Sequence, residues 1–222
     1  MTSVAREKIL VINPNSSLAV TAAIDAAMQP LRLADGPEIV VDRLAEGPPG
    51  IMTQQDADSV VMPLVRRVRA EDANAFVLAC FSDPGLQAVR EAAGGRPVMG
   101  IAEWGLLRAL SLGETFGIIA LSQSSVRRQQ RYVRQMGLGT RYAGSWPIDA
   151  TPEETTEGAM LDRLVAAGRS LIAARGAGVL VLGCAGMAHH RAGLEAATGC
   201  PVVEPTQQAA AAALTALLLA RA

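Results

Sequence analysis

The sequence predicts an α/β protein with two pseudo-symmetric parallel-sheet domains and the active site in the cleft between them. Three observations support this prediction. Short apolar runs alternate with longer stretches of helical pattern, which is typical of proteins with parallel sheets. Half of the 222 residues are apolar and only 18% are charged, so the chain can bury a large core. Several short segments also recur in the same order at about half the chain length.

Eight apolar runs are predicted as strands, and the stretches between them are predicted as helices. Pro84 and Pro205 stand near two of the helix starts, where the missing proline N–H costs nothing. The predicted strands are 8–12, 38–41, 75–79, 97–100, 116–121, 141–145, 178–182 and 201–203. The predicted helices lie near 17–32, 55–71, 85–93, 103–112, 124–136, 153–175, 187–197 and 206–221.

The internal repeat divides the chain into two equivalent halves. We expect a first domain of residues 1–104 plus 205–222 and a second domain of residues 105–204. Ligands of open α/β sheets bind beyond the carboxyl ends of the strands, so the site is expected where two such edges face each other. The repeated segments are 11–18 with 119–126, 77–80 (Val-Leu-Ala-Cys) with 181–184 (Val-Leu-Gly-Cys), and 96–98 with 200–202.

Charge and composition argue against several classes of function. The formal net charge is −1, from 20 basic and 21 acidic residues without a basic block, so no nucleic-acid partner is expected. Lys8 is the only lysine and begins an apolar run, which leaves pyridoxal phosphate without an anchor. The two histidines are adjacent and the three cysteines stand far apart, unlike the ligands of a metal site. We therefore expect no metal and no cofactor.

Targeting signals are weak throughout the sequence. No long apolar segment of the secretory type follows the first residues, and the longest apolar stretch, 209–220, is shorter than the roughly 20 residues that span a bilayer. An odd number of widely separated cysteines fits a reducing compartment. We expect a cytoplasmic protein with a small-molecule substrate and no membrane partner.

Two of the three cysteines occupy matching positions of the repeat. Cys80 and Cys184 each follow a predicted strand and precede a helix, whose N-terminal amides lower a thiol pKa. A thiolate is a competent base, and a thiol on the opposite side of a substrate can return a proton. Two facing cysteines can therefore invert a carbon stereocentre through an enolate, without a cofactor.

At these positions the chain resembles the aspartate/glutamate/hydantoin racemase superfamily. The resemblance rests on residues 12–17 (Ile-Asn-Pro-Asn-Ser-Ser), 79–86 (Ala-Cys-Phe-Ser-Asp-Pro-Gly-Leu) and 182–187 (Leu-Gly-Cys-Ala-Gly-Met), and is greatest for the hydantoin racemases, which include allantoin racemases. It implies two α/β domains that each supply one catalytic cysteine, here Cys80 and Cys184. It also implies a cofactor-independent isomerase that assembles as a homo-oligomer.

The residues after each cysteine narrow the expected substrate. Amino-acid racemases of the superfamily carry Cys-Asn-Thr and Cys-Thr, whereas this chain has Phe81 and Ser82 after the first cysteine and Ala185 and Gly186 after the second. We therefore expect a racemase of 5-substituted hydantoins, allantoin included. The alternatives are a related thiol-dependent amino-acid racemase, isomerase or arylmalonate-type decarboxylase acting on a small carboxylate, and a non-catalytic small-molecule binding protein.

Further residues are expected around the substrate or away from it. Cys200 begins a predicted strand, at the wrong end for the site, and is expected to pack in the core. His189 and His190 are expected on the surface of a helix. The expected substrate-binding residues are Asn13, Asn15, Ser16, Phe81, Ser82, Ser122, Ala185 and Gly186, although Asn and Ser after a strand also serve as helix caps.

Overall fold

The computed structural model describes residues 6–220 and contains two four-stranded parallel sheets. The first sheet has the order β2-β1-β3-β4 and the second has the order β6-β5-β7-β8, so the two halves share one topology. The predicted α/β fold with two similar halves is confirmed. The strands are β1 (Lys8–Asn13), β2 (Glu38–Arg43), β3 (Ala75–Leu78), β4 (Val98–Gly100), β5 (Phe116–Ala120), β6 (Tyr142–Pro147), β7 (Val179–Leu182) and β8 (Val202–Val203).

Nine α-helices flank the sheets within the described residues. Helix α9 returns to the first half, where it packs against α5 and against three strands of the first sheet. This contact supports the proposed assignment of residues 205–222 to the first domain. The helices are α1 (Leu18–Ala27), α2 (Gln54–Ser59), α3 (Val61–Ala70), α4 (Leu86–Ala92), α5 (Ile101–Leu112), α6 (Gln123–Gln135), α7 (Leu161–Arg175), α8 (Arg191–Thr198) and α9 (Pro205–Ala220).

Three predicted helices are interrupted in the structure. The helix expected over 55–71 is divided into α2 and α3, because Pro63 has no N–H to donate to a carbonyl four residues earlier. Tight 3₁₀ turns replace the start of the helix expected over 153–175, and a 3₁₀ segment, Ala185–His190, replaces the first turns of the helix expected over 187–197.

The 3₁₀ segment also changes the environment of the two histidines. His189 is exposed as expected, but the prediction is wrong for His190, which is 4% exposed. The tighter winding turns this ring inward, where its Nε2 lies 3.2 Å from the carbonyl oxygen of Thr155.

One buried apolar cluster spans both halves, and each half has a further cluster of its own. Ile9 and Val77 of the first sheet belong to the same buried cluster as Ile118 and Val181 of the second. The alanine-rich face of α9 is also buried in this cluster, and its small side chains allow the helix to pack closely against the strands. Within residues 6–220, no helix is both long and apolar enough to cross a membrane.

Candidate active site

The two repeat-related cysteines line one cavity between the halves. Strands β3 and β7 are each one of the two inner strands of their sheet, and each ends two residues before a cysteine, Cys80 or Cys184. The cavity is also lined by Asn15 from the first half and Pro152 from the second. The parallel topology thus brings together two thiols that lie 104 positions apart in the sequence.

The Cys80 side chain is half-buried, and its surroundings disfavour the thiolate form. The expected lowering of the thiol pKa by helix N-terminal amides is wrong for Cys80, since α4 begins six residues later. Burial raises the pKa of this thiol to about 12, and a negative charge on Cys184 acts in the same direction. Hydrogen bonds from the backbone N–H and hydroxyl of Ser82 lower the pKa of Cys80, whereas the charge of Asp83 raises it further. A thiolate at Cys80 therefore requires positive charge or hydrogen-bond donors nearby.

Cys184 has a matching environment in the second half. Its side chain is 8% exposed, and burial raises the pKa of its thiol. The backbone N–H of Gly186 and the hydroxyl of Thr155 counteract this effect, and the Thr155 Oγ1 to Cys184 Sγ distance is 3.9 Å. Each sulfur is thus served by an N–H two residues later and by one hydroxyl group.

Each half also contributes a loop that closes the cavity. Ile51 comes from the loop after β2, and Pro152 comes from the loop after β6. The loops touch, since a Cβ added at Gly50 would lie 2.9 Å from Pro152 Cγ. A hydrogen bond of 2.6 Å from Ser124 Oγ to the Met52 carbonyl fastens the first loop to α6.

Five of the eight predicted substrate-binding residues line the cavity or face a cysteine directly. Asn15, Phe81, Ser82 and Ala185 contribute to the lining, and Gly186 presents its N–H to Cys184. The Oδ1 of Asn15 accepts hydrogen bonds, while its Nδ2 has no protein acceptor within the described residues and is free to bind a carbonyl oxygen.

The remaining three predicted residues are placed behind the lining. Asn13 is fully buried and donates through Nδ2 to Asn15 Oδ1 at 2.9 Å, so it orients the neighbouring amide. Ser16 donates its backbone N–H to Pro48. Ser122 caps α6 by accepting the N–H of Ser125. These three are not among the residues that line the cavity.

Sequence reasoning missed several lining residues. Ser125 follows Ser122 in the repeat and could have been found from its match with Ser17. Arg128 and Gln129 lie on α6, and Ile51 and Pro152 lie in the closing loops, with no local pattern that marks them. Their contribution depends on how the halves pack.

Asp83, three residues after Cys80, ties the first cysteine loop to its surroundings. Its buried carboxylate accepts the N–H groups of Ala102 and Glu103 at 3.0 and 2.8 Å and so caps α5. The hydroxyl of Tyr132 on α6 donates to the same carboxylate. Asp83 therefore holds the Cys80 loop against both halves.

Cys200 lies apart from this site. It is 8% exposed, belongs to the apolar core of the second half, and donates its thiol to the carbonyl of Gly178. Among the described residues, no group of three or more His, Cys, Asp or Glu side chains could hold a metal ion.

Comparison with known proteins identifies the family. Residues 9–213 match the family described as Asp/Glu/Hydantoin racemase. The chain belongs to this family. It is 36% identical to the hydantoin racemase of Paenarthrobacter aurescens, over 91% of this chain and 87% of that protein. Its structure is similar to that of the allantoin racemase from Klebsiella pneumoniae, with a TM-score of 0.88 and 31% identity over 96% of this chain and 89% of the other.

Membership of the racemase family confirms the predicted class of enzyme. A second relative, the hydantoin racemase of Pseudomonas sp. (strain NS671), is 31% identical over 89% of this chain and 80% of that protein. The chain is therefore an isomerase of the racemase type, as the residues around Cys80 and Cys184 predicted.

Proposed function

We propose that the chain is a cofactor-independent racemase of 5-substituted hydantoins, allantoin included, and that Cys80 and Cys184 are its two catalytic bases. The observation that carries this proposal is the presence of both thiols in one cavity, each supplied by a different half. The similarity of the chain to two hydantoin racemases and to an allantoin racemase supports the substrate class.

The proposed reaction is a proton exchange at C5 of the hydantoin ring. One cysteine, as thiolate, takes the C5 proton, and the electron pair of the C–H bond moves onto the adjacent carbonyl to form an enolate. The other cysteine, as thiol, donates its proton to the opposite face of C5 while the enolate returns to the carbonyl. The product has the inverted configuration, and the two cysteines have exchanged their protonation states.

The electrostatics of the cavity fit this division of labour. A negative charge on Cys184 raises the pKa of Cys80, so the two thiols do not ionise together. One thiolate and one thiol are the pair that the two-base mechanism needs. The free Nδ2 of Asn15 and the backbone N–H groups after Cys184 are the donors proposed to bind the carbonyl that becomes the enolate oxygen.

The proposal is tested by following one enantiomer of a 5-substituted hydantoin in heavy water. Optical rotation should fall to zero while NMR shows deuterium replacing the C5 proton. Cys200→Ser is the matched control, and a Cys80→Ser, Cys184→Ser double variant measures the uncatalysed rate. Release of carbon dioxide from an arylmalonate without racemisation of hydantoins would favour the decarboxylase, and binding without exchange would favour the non-catalytic alternative.

We also propose that the protein forms a homo-oligomer. Helices α5 and α9 pack on each other and leave apolar side chains exposed to solvent. Sedimentation of the protein at micromolar concentration should show a species larger than a monomer, and a monomer alone would contradict this proposal. The exposed leucines on these helices are Leu107, Leu112, Leu218 and Leu219.

A further inference from the structure

Arg128 is the one charged side chain among the described residues that line the cysteine cavity. It extends from α6 of the second half, whereas the Cys80 loop belongs to the first. The same side chain also lines a larger neighbouring cavity, together with Phe81, Ser82 and Gln129. Arg128 therefore stands at the boundary between the thiols and the adjoining space.

Within residues 6–220, no carboxylate forms an ion pair with the Arg128 guanidinium. Its Nη1 donates to the Met52 carbonyl at 2.7 Å and to Ser124 Oγ at 3.4 Å, and its Nη2 donates to Ser125 Oγ at 3.2 Å. All three acceptors are neutral. Its Nε is buried and has no hydrogen-bond partner in the part of the chain that the structure describes. Such a guanidinium retains both charge and an unused donor for an anion.

The proposed reaction requires one negative charge in this cavity at every stage. The charge lies first on one sulfur, then on the enolate oxygen, and finally on the other sulfur. Water screens that charge less in a cavity lined mostly by buried residues than at the surface, so a fixed cation has a larger effect there. Arg128 is the cation that the cavity provides.

We propose that Arg128 is a further catalytic residue, whose guanidinium stabilises the negative charge as it passes from thiolate to enolate to thiolate. The inference rests on the proposed function for its enolate step. The effect of Arg128 on the Cys80 thiolate can be measured without any substrate, so this proposal and the proposed function can fail separately.

Several charged or titratable groups on the surrounding elements change the ionisation of Cys80 and of Arg128. On Cys80, Asp83 from its own loop and Cys184 from the second half oppose ionisation. On Arg128, burial lowers the pKa of the guanidinium, and Arg131 acts in the same direction, whereas a Cys80 thiolate and Asp56 of α2 favour its charged form. Arg128 is thus the group whose removal should make Cys80 harder to ionise.

The test uses a protein in which Cys80 is the only thiol, carrying Cys184→Ser and Cys200→Ser. The rate of alkylation by iodoacetamide is measured between pH 7 and pH 10, since this uncharged reagent reacts with the thiolate and is not attracted by an arginine. Arg128→Gln should slow alkylation about tenfold or more, because an opposite charge nearby typically shifts a pKa by one unit or more. Arg128→Lys should retain most of the rate.

Two controls separate charge from structure. Ser124→Ala removes the other hydrogen bond to Met52, and the longer bond from Arg128 Nη1, without removing charge. Arg127→Gln removes an exposed charge from the same helix. Both should alkylate at the parent rate. The proposal is overturned if Arg128→Gln also alkylates at the parent rate, or if Ser124→Ala slows the reaction equally, since the loop would then be responsible.

The intact enzyme provides the second measurement. Arg128→Gln should lower kcat/KM for hydantoin racemisation at least a hundredfold, Arg128→Lys should restore part of it, and Arg127→Gln should resemble wild type. Unchanged turnover in Arg128→Gln would overturn the catalytic role. A third outcome separates the two proposals. If Arg128→Gln slows alkylation of Cys80 but the wild-type enzyme does not exchange the C5 proton, the proposed substrate is wrong and the effect of Arg128 on Cys80 stands.

Discussion

The hydroxyl of Tyr132 donates a hydrogen bond of 2.7 Å to the carboxylate of Asp83. This bond joins helix α6 of the second half to the loop that carries Cys80. The same carboxylate caps α5 through the N–H groups of Ala102 and Glu103. One buried side chain therefore fixes the position of the first cysteine relative to both sheets.

Loss of this bond should lower stability. Tyr132→Phe leaves the buried Asp83 carboxylate with one donor fewer, which should cost about 1.5 to 3 kcal/mol in the free energy of unfolding. Urea denaturation measures the change. Tyr142→Phe is the matched control, because its hydroxyl bonds the neutral Ser145 side chain and should cost about 1 kcal/mol. Equal losses in the two variants would contradict the special role of the Asp83 contact.

Asp83 should also impose a pH dependence on stability. Burial raises the pKa of its carboxyl from 3.8 to about 6, despite hydrogen bonds that act in the opposite direction. Between these values the folded state binds more protons than the unfolded state, so the free energy of unfolding should fall as the pH rises from about 4 to about 6. The fall attributable to this group is about 3 kcal/mol in total.

Urea denaturation at several pH values isolates this effect. Asp83→Asn does not titrate, so the difference in unfolding free energy between wild type and variant should change across this pH window and level off above it. A wild-type protein that gains stability relative to Asp83→Asn as the pH rises through this range would show that the pKa is lowered instead.

Gly186 should tolerate no side chain. A Cβ at this position would lie 2.5 Å from Thr155 Oγ1, the hydroxyl that faces Cys184. Gly186→Ala should therefore displace Thr155 and lower kcat/KM by roughly tenfold to a hundredfold. Gly158→Ala, where nothing lies within 4 Å of the added carbon, should behave as wild type. Wild-type kinetics in Gly186→Ala would show that the position of Thr155 does not affect turnover.

Cys200 should be dispensable for turnover. Its thiol is packed in the core of the second half, away from the cavity, where it donates to the Gly178 carbonyl and accepts from the Leu180 backbone N–H. Cys200→Ser should cost about 1 kcal/mol of stability, or less, and leave kcat/KM near the wild-type value. Circular dichroism during urea denaturation and a polarimetric assay measure the two quantities. A large loss of turnover in a folded Cys200→Ser protein would mean that the two-cysteine assignment is incomplete.

The strands and the cysteine positions could be predicted from the sequence for a physical reason. Inner strands of a parallel sheet are buried on both faces, so 75–79 and 178–182 are continuous apolar runs. The residues just beyond them lie at the carboxyl edges of the two sheets, where ligands of such sheets bind. Cys80 and Cys184 follow from that rule. The loops that close the cavity follow no such rule, because their positions depend on contacts between the halves.

Arg128 shows why the rest of the site could not be predicted. Helix α6 carries Arg127, Arg128, Arg131 and Arg134, which look alike in sequence as the polar face of a surface helix. Only the packing of α6 against the Cys80 loop places one of them, Arg128, in the lining of the cysteine cavity.

The repeat is also less regular in its side chains than in its backbone. In the second half, the Glu204 side chain caps α9. The matching position of the first half is Gly100, which has no side chain to cap α5. Asp83 supplies that cap from another loop, and a Cβ at Gly100 would lie 2.4 Å from its Cγ. The physical requirement for a carboxylate at the helix start is the same, although the residue that meets it differs.

The most direct test of the two-cysteine mechanism is deuterium exchange at C5, measured by NMR for each pure enantiomer of a 5-substituted hydantoin with Cys80→Ser and with Cys184→Ser. Neither variant should racemise, because inversion needs a base on one face and an acid on the other. Each variant should still exchange the C5 proton of one enantiomer, and the two variants should act on opposite hands. Full racemisation by either single variant, or exchange of the same hand by both, would contradict the mechanism.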